Sequence, residues 1–118
     1  MKTTLFLLFS LFALQAPAQL QQMPITEFRA AELPGDAVLV DVRTPGEFAG
    51  GHLPGAVNID WFAEDFNARW ADIPKDAHIY VYCQKGGRSA RAAGRLSELG
   101  FTQVTDLTGG YEAYRKGG

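Results

Sequence analysis

An α/β fold, with a small, mostly parallel sheet flanked by helices, is predicted by three observations. Apolar β-branched and aromatic runs recur at residues 38–42, 56–59, 78–82 and 104–107; helical patterns stand between them; and the connections are only a few residues long. The run Val38-Leu39-Val40-Asp41-Val42 has the apolar content of a strand covered on both faces, the usual situation in parallel sheets. In such sheets chemistry collects outside the carboxyl ends of the strands, where Asp41 and Cys83 both fall. At 118 residues, with 47 % hydrophobic and 20 % charged side chains, the chain has the proportions of one soluble globular domain, and tandem domains are excluded.

Residues 1–18 stand apart from the fold. Lys2 is a positive leader end, residues 5–14 are an apolar stretch, and Ala16-Pro17-Ala18 is a small-x-small cleavage signal before Gln19. The stretch falls well short of the roughly 20 apolar residues that span a bilayer, and no cysteine follows it for lipid attachment. The expectation is a secretory signal peptide at 1–18 and a single periplasmic or secreted domain at 19–118, with no stable membrane anchor after cleavage. Cleavage removes Lys2 and no acid, which leaves ten basic and thirteen acidic side chains, a net charge of −3. Neither a basic excess nor an acidic run remains, so nucleic-acid binding and an acidic tail have no support. A domain of this size buries roughly 60 % of its unfolded surface, enough for a core that needs no cofactor to fold. One cysteine excludes a disulfide framework and a cysteine zinc site, and no metal site is expected.

Within the domain, residues 19–24 are polar and without periodicity, and read as a lead into the first strand at 38–42. Thr44-Pro45-Gly46-Glu47 has the form of a helix start, with Thr44 as N-cap, Pro45 at the first helical position and Glu47 closing a capping box. Leu53-Pro54-Gly55 is a turn signal before the second strand at 56–59. Phe62, Phe66, Trp70 and Ile73 recur at helical spacing until Pro74, which predicts a helix with its aromatics in the core. The third strand, His78-Ile79-Tyr80-Val81-Tyr82, ends at Cys83. A helix then runs over 88–99, with Ala93 and Leu96 facing inward and Gly100 as its C-terminal cap. The last strand lies at 104–107, and Gly109-Gly110 breaks the chain before a helical turn at 111–115.

Chemistry concentrates in Cys83-Gln84-Lys85-Gly86-Gly87-Arg88-Ser89, between a strand and a helix. The cysteine supplies a nucleophile. Two adjacent glycines let the backbone curl so that successive amides point into one concavity, an anion-binding nest. The helix beginning near Arg88 adds unpaired N–H groups and the positive end of its dipole, surroundings that favour thiolate over thiol. Such a thiolate can attack electrophilic sulfur, phosphorus or arsenic. Lys85, Arg88, Arg91 and Arg95 give the stretch 77–97 a charge of +4, a positive rim that would focus small anions on Cys83. The blander reading makes Cys83 a small core residue and the arginines a solvated helix face. Lys85 and Arg88 flanking a Gly-Gly turn favour the reactive thiol.

The chain resembles the rhodanese domain family over essentially all of residues 19–118, in three stretches. Asp41-Val42-Arg43 with Glu47-Phe48 and Gly51-His52-Leu53-Pro54-Gly55-Ala56-Val57-Asn58-Ile59 resembles the family's first signature. The Cys83 to Ser89 stretch resembles its active-site loop, and Asp106-Leu107-Thr108-Gly109-Gly110 with Tyr114 resembles its C-terminal signature, where the family often has tryptophan in place of Tyr114. The resemblance implies a rhodanese-like fold and a sulfurtransferase without cofactor. Cys83 would take a sulfane sulfur as a persulfide from a small anionic donor, thiosulfate or a persulfide, and pass it to cyanide, a small thiol or a protein thiol. Amides of Gln84, Lys85, Gly86, Gly87, Arg88 and Ser89 would cradle the outer sulfur, and Lys85 and Arg88 would hold the donor's anionic part. His52, which invites a general-base reading, belongs with the family's structural turn. Asp41 and Arg43 are expected to brace the loop, Asp41 by accepting its amides and Arg43 by pairing with Glu47.

Two other functions compete. A phosphatase or arsenate reductase also uses a cysteine and arginine loop around an oxyanion, but such loops are a residue longer than the four between Cys83 and Arg88. A non-catalytic rhodanese-like binding module would not need Cys83 with its basic loop.

Overall fold

Five strands, β1 (Gln19–Pro24), β2 (Val38–Asp41), β3 (Val57–Asn58), β4 (His78–Tyr82) and β5 (Gln103–Thr108), form one sheet in the order β1-β5-β4-β2-β3. Every pairing in it is parallel. The structure, a computed structural model, describes residues 19–117; the expected leader at 1–18 and its cleavage site lie outside them. Among the described residues three α-helices accompany the strands: α1 (Pro45–Ala49), α2 (Gly87–Glu98) and α3 (Gly110–Gly117). Among the described residues no helix is long and apolar enough to cross a membrane.

The sheet separates two cores, as the alternation along its central strands requires. Val40, Val42, Ile79, Val81 and Val104 face α2, where they meet Ala92, Ala93, Leu96, Phe66, Trp70 and Phe101. Leu39, Tyr82 and Leu107 face the other way, against Ile25, Phe28 and Leu53. β2 and β4 are covered on both faces, which is why their sequences read as continuous apolar runs.

The helix ends follow their sequence signals. The Thr44 hydroxyl accepts from Glu47 N at 3.3 Å and the Glu47 carboxylate accepts from Thr44 N at 3.1 Å, a reciprocal capping box. At the far end of α2, Phe101 N donates to Leu96 O at 3.0 Å and Gly100 N to Ser97 O at 3.1 Å, the two bonds of a Schellman motif.

Two sequence expectations are corrected. Residues 19–24 are not a lead but strand β1, in register with β5 from Gln19↔Gln103 to Pro24↔Thr108. An edge strand held by backbone bonds needs little apolar content, and Leu20, Gln21 and Gln22 are indeed exposed. The helix expected through Phe62 and Ile73 is instead a series of turns with one 3-10 turn at Ala68–Trp70. Bonds from Phe66 N to Ala63 O, Trp70 N to Asn67 O and Ile73 N to Trp70 O all span three residues. Phe66 and Trp70 still reach the core, whereas Phe62 is 65 % exposed. Spacing of three to four residues fits stacked turns as well as a helix.

Candidate active site

Because β2, β4 and β5 are adjacent and parallel, the segments that follow Asp41, Tyr82 and Thr108 leave the sheet at one end and meet there. Cys83 sits at the floor of this junction, 1 % exposed. Its Sγ accepts from Gly86 N at 3.1 Å and lies 3.6 Å from the Ser89 hydroxyl, which donates to Gly86 O at 3.2 Å. The close approach of the Gly86 amide depends on a backbone φ of +122°, a conformation that side chains resist. Gly86 is also the N-cap of α2 and offers no side chain to its first amides. Those N–H groups are left for a ligand, at the positive end of a helix of twelve residues. Above the sulfur opens a cavity of about 400 Å³ lined by Cys83, Gln84, Lys85, Gly87, Arg88 and Arg91.

The loop is clamped from α3, a brace the sequence reading did not anticipate. Tyr111 N donates to Cys83 O at 2.8 Å and Glu112 N to Gln84 O at 3.0 Å, so the first amides of α3 fix both carbonyls. A Cβ on Gly110 would stand 2.5 Å from Gln84 C and O and 2.6 Å from Cys83 O. The Gly109-Gly110 pair, read from the sequence as a chain break, is the contact that lets the two loops touch.

A second brace comes from β2 and corrects two expectations. Arg43 is buried, and Asp41 binds it through Nε at 3.0 Å, Nη2 at 2.7 Å and the backbone N at 2.9 Å. The same guanidinium donates to Gln84 Oε1 at 3.0 Å and Gly51 O at 2.6 Å and lies 4.4 Å from the Tyr111 ring centre. Asp41 therefore accepts from Arg43 and not from loop amides. Nor does Arg43 pair with Glu47, because Asp41, two residues back, already holds it bidentately. Gln84 lines the cavity with Cys83, and its side-chain oxygen accepts from Arg43.

Glu47 pairs instead with Arg88, Oε1 to Nη1 at 2.7 Å and Oε2 to Nη2 at 3.0 Å. This pairing, together with the Thr44 bonds and against burial, holds the Glu47 carboxyl down at about 2, and Glu47 in turn raises Arg88. Arg88 is thus a charge offset by Glu47 at the cavity rim. The sequence marked Glu47 as a cap and as a partner for Arg43, and its pairing with Arg88, 41 residues on, leaves no local signal. Lys85 and Arg91 are exposed at the cavity. Arg95 points elsewhere, towards Glu98, Asn67 and the face of Trp61. His52 stacks on Phe48 at 3.7 Å with Nδ1 2.9 Å from Phe48 O, while Leu53 N donates to the buried Tyr82 hydroxyl at 3.0 Å. Those contacts belong to a structural turn.

The assembled geometry is a sulfur nucleophile with the Gly86 amide directed at it and a partly compensated basic rim, suited to a small anion with an electrophilic atom. The Rhodanese-like domain family model matches residues 25–116, from the first core residue of the described chain, Ile25, into α3. The sulfurtransferase of Allochromatium vinosum is 37 % identical over 83 residues, covering 70 % of this chain and 76 % of that protein. The thiosulfate sulfurtransferase GlpE of Pseudomonas putida is 40 % identical over 79 residues, covering 67 % of this chain and 70 % of that protein. Among solved structures, a rhodanese-related protein of Thermoplasma volcanium superposes with a TM-score of 0.69 at 26 % identity, over 83 % of this chain and 93 % of its own. Fold, loop and relatives agree: the chain belongs to the rhodanese-like domain family.

Proposed function

We propose that this protein is an exported sulfurtransferase that carries a sulfane sulfur on Cys83. The observation that bears most of the weight is the Gly86 amide aimed at Sγ at 3.1 Å, at the floor of a cavity open to a small anion. In the first step the Cys83 thiolate attacks the outer sulfur of thiosulfate or a similar donor; the donor's S–S bond breaks and its electron pair leaves with sulfite. In the second step cyanide, a small thiol or a protein thiol attacks the outer sulfur of the persulfide, and the Cys83 thiolate leaves. Preorganised amides stabilise negative charge on sulfur in both steps without rearranging. Lys85 and Arg91 attract the donor, while Arg88, held by Glu47, contributes field more than direct contact. The chain has no second cysteine to resolve the persulfide, so the cargo waits for an outside nucleophile.

A phosphatase or arsenate reductase is less well supported, because the guanidinium that would grip an oxyanion is already bidentate on Glu47. For a non-catalytic module, the cavity over Cys83 would have no use. Export rests on Lys2, the apolar stretch 5–14 and Ala16-Pro17-Ala18.

Intact-mass measurement after thiosulfate treatment tests the reading. One added sulfur per chain, absent from Cys83→Ser and removed by cyanide, is expected; a wild-type chain that takes up none refutes it. N-terminal sequencing of protein from a periplasmic or secreted fraction is expected to begin at or near Gln19, and recovery from the membrane with Met1 intact would refute a cleaved leader and a free periplasmic or secreted domain.

A further inference from the structure

Beside the donor cavity lies a larger one that the transfer scheme does not use. Its volume is about 510 Å³, against about 400 Å³ over Cys83, and its walls come from α1, α3 and Gln84. Gln84 lines both cavities. Glu47, on the larger one, is bidentate on Arg88, on the smaller, at 2.7 and 3.0 Å, so this ion pair joins their rims. Tyr111, a wall of the larger cavity, donates its backbone N–H to Cys83 O at 2.8 Å. A molecule in this cavity is therefore held beside the loop that carries the sulfur.

The two cavities differ in charge. Around the larger one Arg43 is held by Asp41 and Glu47 by Arg88. Arg115, Lys116 and Glu112 also line it, and none of the three has an ion-pair partner among the described residues. The Arg115 guanidinium lies 5.9 Å from the centre of the Tyr111 ring, a contact that favours placing it at the cavity wall. Charges of both signs thus face one space. The charged lining of the donor cavity is basic only, Lys85, Arg88 and Arg91, which suits a compact dianion such as thiosulfate. A mixed lining suits a ligand that itself carries both signs. The volume falls within the range of small-molecule sites, roughly 300–1,000 Å³, and far exceeds what cyanide needs.

We propose that the larger cavity is the acceptor site and that its ligand is a small zwitterionic thiol, an amino-acid or short-peptide thiol. Arg115 and Lys116 take its carboxylate, Glu112 takes its ammonium group, and its sulfur reaches past Gln84 to the cargo. The acceptor thiol gives its proton, through water, to the outer sulfur of the Cys83 persulfide. The resulting thiolate attacks that outer sulfur; the new S–S bond forms, the bond to Cys83 breaks, and the electron pair stays on Cys83 as thiolate. The product is the acceptor's hydropersulfide. The inference deepens the proposed sulfur transfer and rests on Cys83 being its carrier.

The test uses protein loaded with thiosulfate, freed of donor, and mixed with free cysteine, N-acetylcysteine or cysteine methyl ester, which carry both charges, the carboxylate alone and the ammonium alone. Loss of the extra sulfur is followed by intact mass. Each rate is divided by that thiol's own rate with a small disulfide, which removes differences in nucleophilicity. Free cysteine is expected to lead both relatives by about 3- to 10-fold. The Arg115→Ala, Lys116→Ala double variant should lower discharge to free cysteine, relative to cyanide, by about 3- to 10-fold, and Glu112→Gln should narrow the lead over N-acetylcysteine. Gly46→Phe fills the cavity without changing a charge, since a Cβ at Gly46 meets nothing within 4 Å; it should lower discharge to free cysteine in the same way. Equal normalised rates for the three thiols, or variants that slow every acceptor alike, would overturn the acceptor site while leaving the sulfurtransferase reading in place. A chain that takes up no sulfur refutes that reading, and the cavity is then judged by ligand-observed NMR with S-methylcysteine. Saturable binding that weakens in the Arg115→Ala, Lys116→Ala variant supports a zwitterion site, and absence of binding overturns it.

Discussion

Replacing Glu47 by glutamine separates its two jobs. The glutamine side chain can still close the capping box with Thr44, since an amide oxygen accepts the same backbone N–H, but it cannot neutralise Arg88. The Glu47 carboxyl lies at about 2 against an ordinary 4.5, a difference that would be worth about 3 kcal/mol if fully realised. Glu47 is 33 % exposed and Arg88 21 %, and solvent screening reduces this to about 1 kcal/mol. In a domain of this size that is a fall in Tm of about 4–8 °C at neutral pH. Because the folded carboxyl titrates below its unfolded value, this stability is fully present above pH 4.5 and is lost as pH falls through about 2. The assay is thermal unfolding of both proteins between pH 2 and 7, with thiosulfate kinetics alongside. Wild type should lose its advantage over Glu47→Gln across the acid range, and the freed guanidinium should lower KM for thiosulfate about two- to fivefold. Melting temperatures that run parallel at every pH, with unchanged KM, would refute the assignment of the Arg88 charge to Glu47.

Cys83→Ser should abolish sulfur transfer and leave a cooperative melt, because the hydroxyl is nearly isosteric but far less nucleophilic; substantial turnover by the folded variant would exclude the mechanism. Gly110→Ala, at φ +67° and with its Cβ 2.5 Å from Gln84, should cost about 2 kcal/mol or more and displace the Cys83 loop. Wild-type stability and rate in that variant would show that α3 does not clamp the loop. Trp70→Ala should cost about 3–5 kcal/mol, since Trp70 is fully buried against Phe66 and Phe101. Trp70→Phe should cost only about 1 kcal/mol, because it also removes an indole N–H that is buried without a partner among the described residues; denaturant unfolding distinguishes the two.

The relation of Glu47 to Arg88 illustrates how the basic rim is set. The stretch 77–97 holds four cations and no acid, but its field at the cavity depends on acids from elsewhere in the chain. Arg88 is offset by Glu47, 41 residues away, and Arg95 is turned aside to Glu98. Among the described residues, Lys85 and Arg91 line the cavity without an ion-pair partner. A charge count along a segment overstates the potential at a site whenever the fold supplies partners from another element.

What the amino-acid sequence determined by itself was whatever depends on neighbours in the chain. The strand expected at residues 38–42 and found at Val38–Asp41, the capping box of Thr44 and Glu47, the strand His78–Tyr82 and the helix stop at Gly100 are local patterns with local causes. The Cys83 loop was legible for the same reason, since nucleophile, glycines and helix start are contiguous. Tertiary structure alone decided the rest. Edge strand β1 has no apolar signature because its partner, β5, is about eighty residues away and binds it through the backbone. The aromatics from Phe62 to Ile73 have a helical spacing that stacked turns satisfy equally, so packing chose between them. Asp41 with Arg43 and Glu47 with Arg88 are choices of partner, and an ionic side chain carries no local mark of which group it will meet. Their pairing follows from the parallel order of β2, β4 and β5, which brings one end of each strand to the same place.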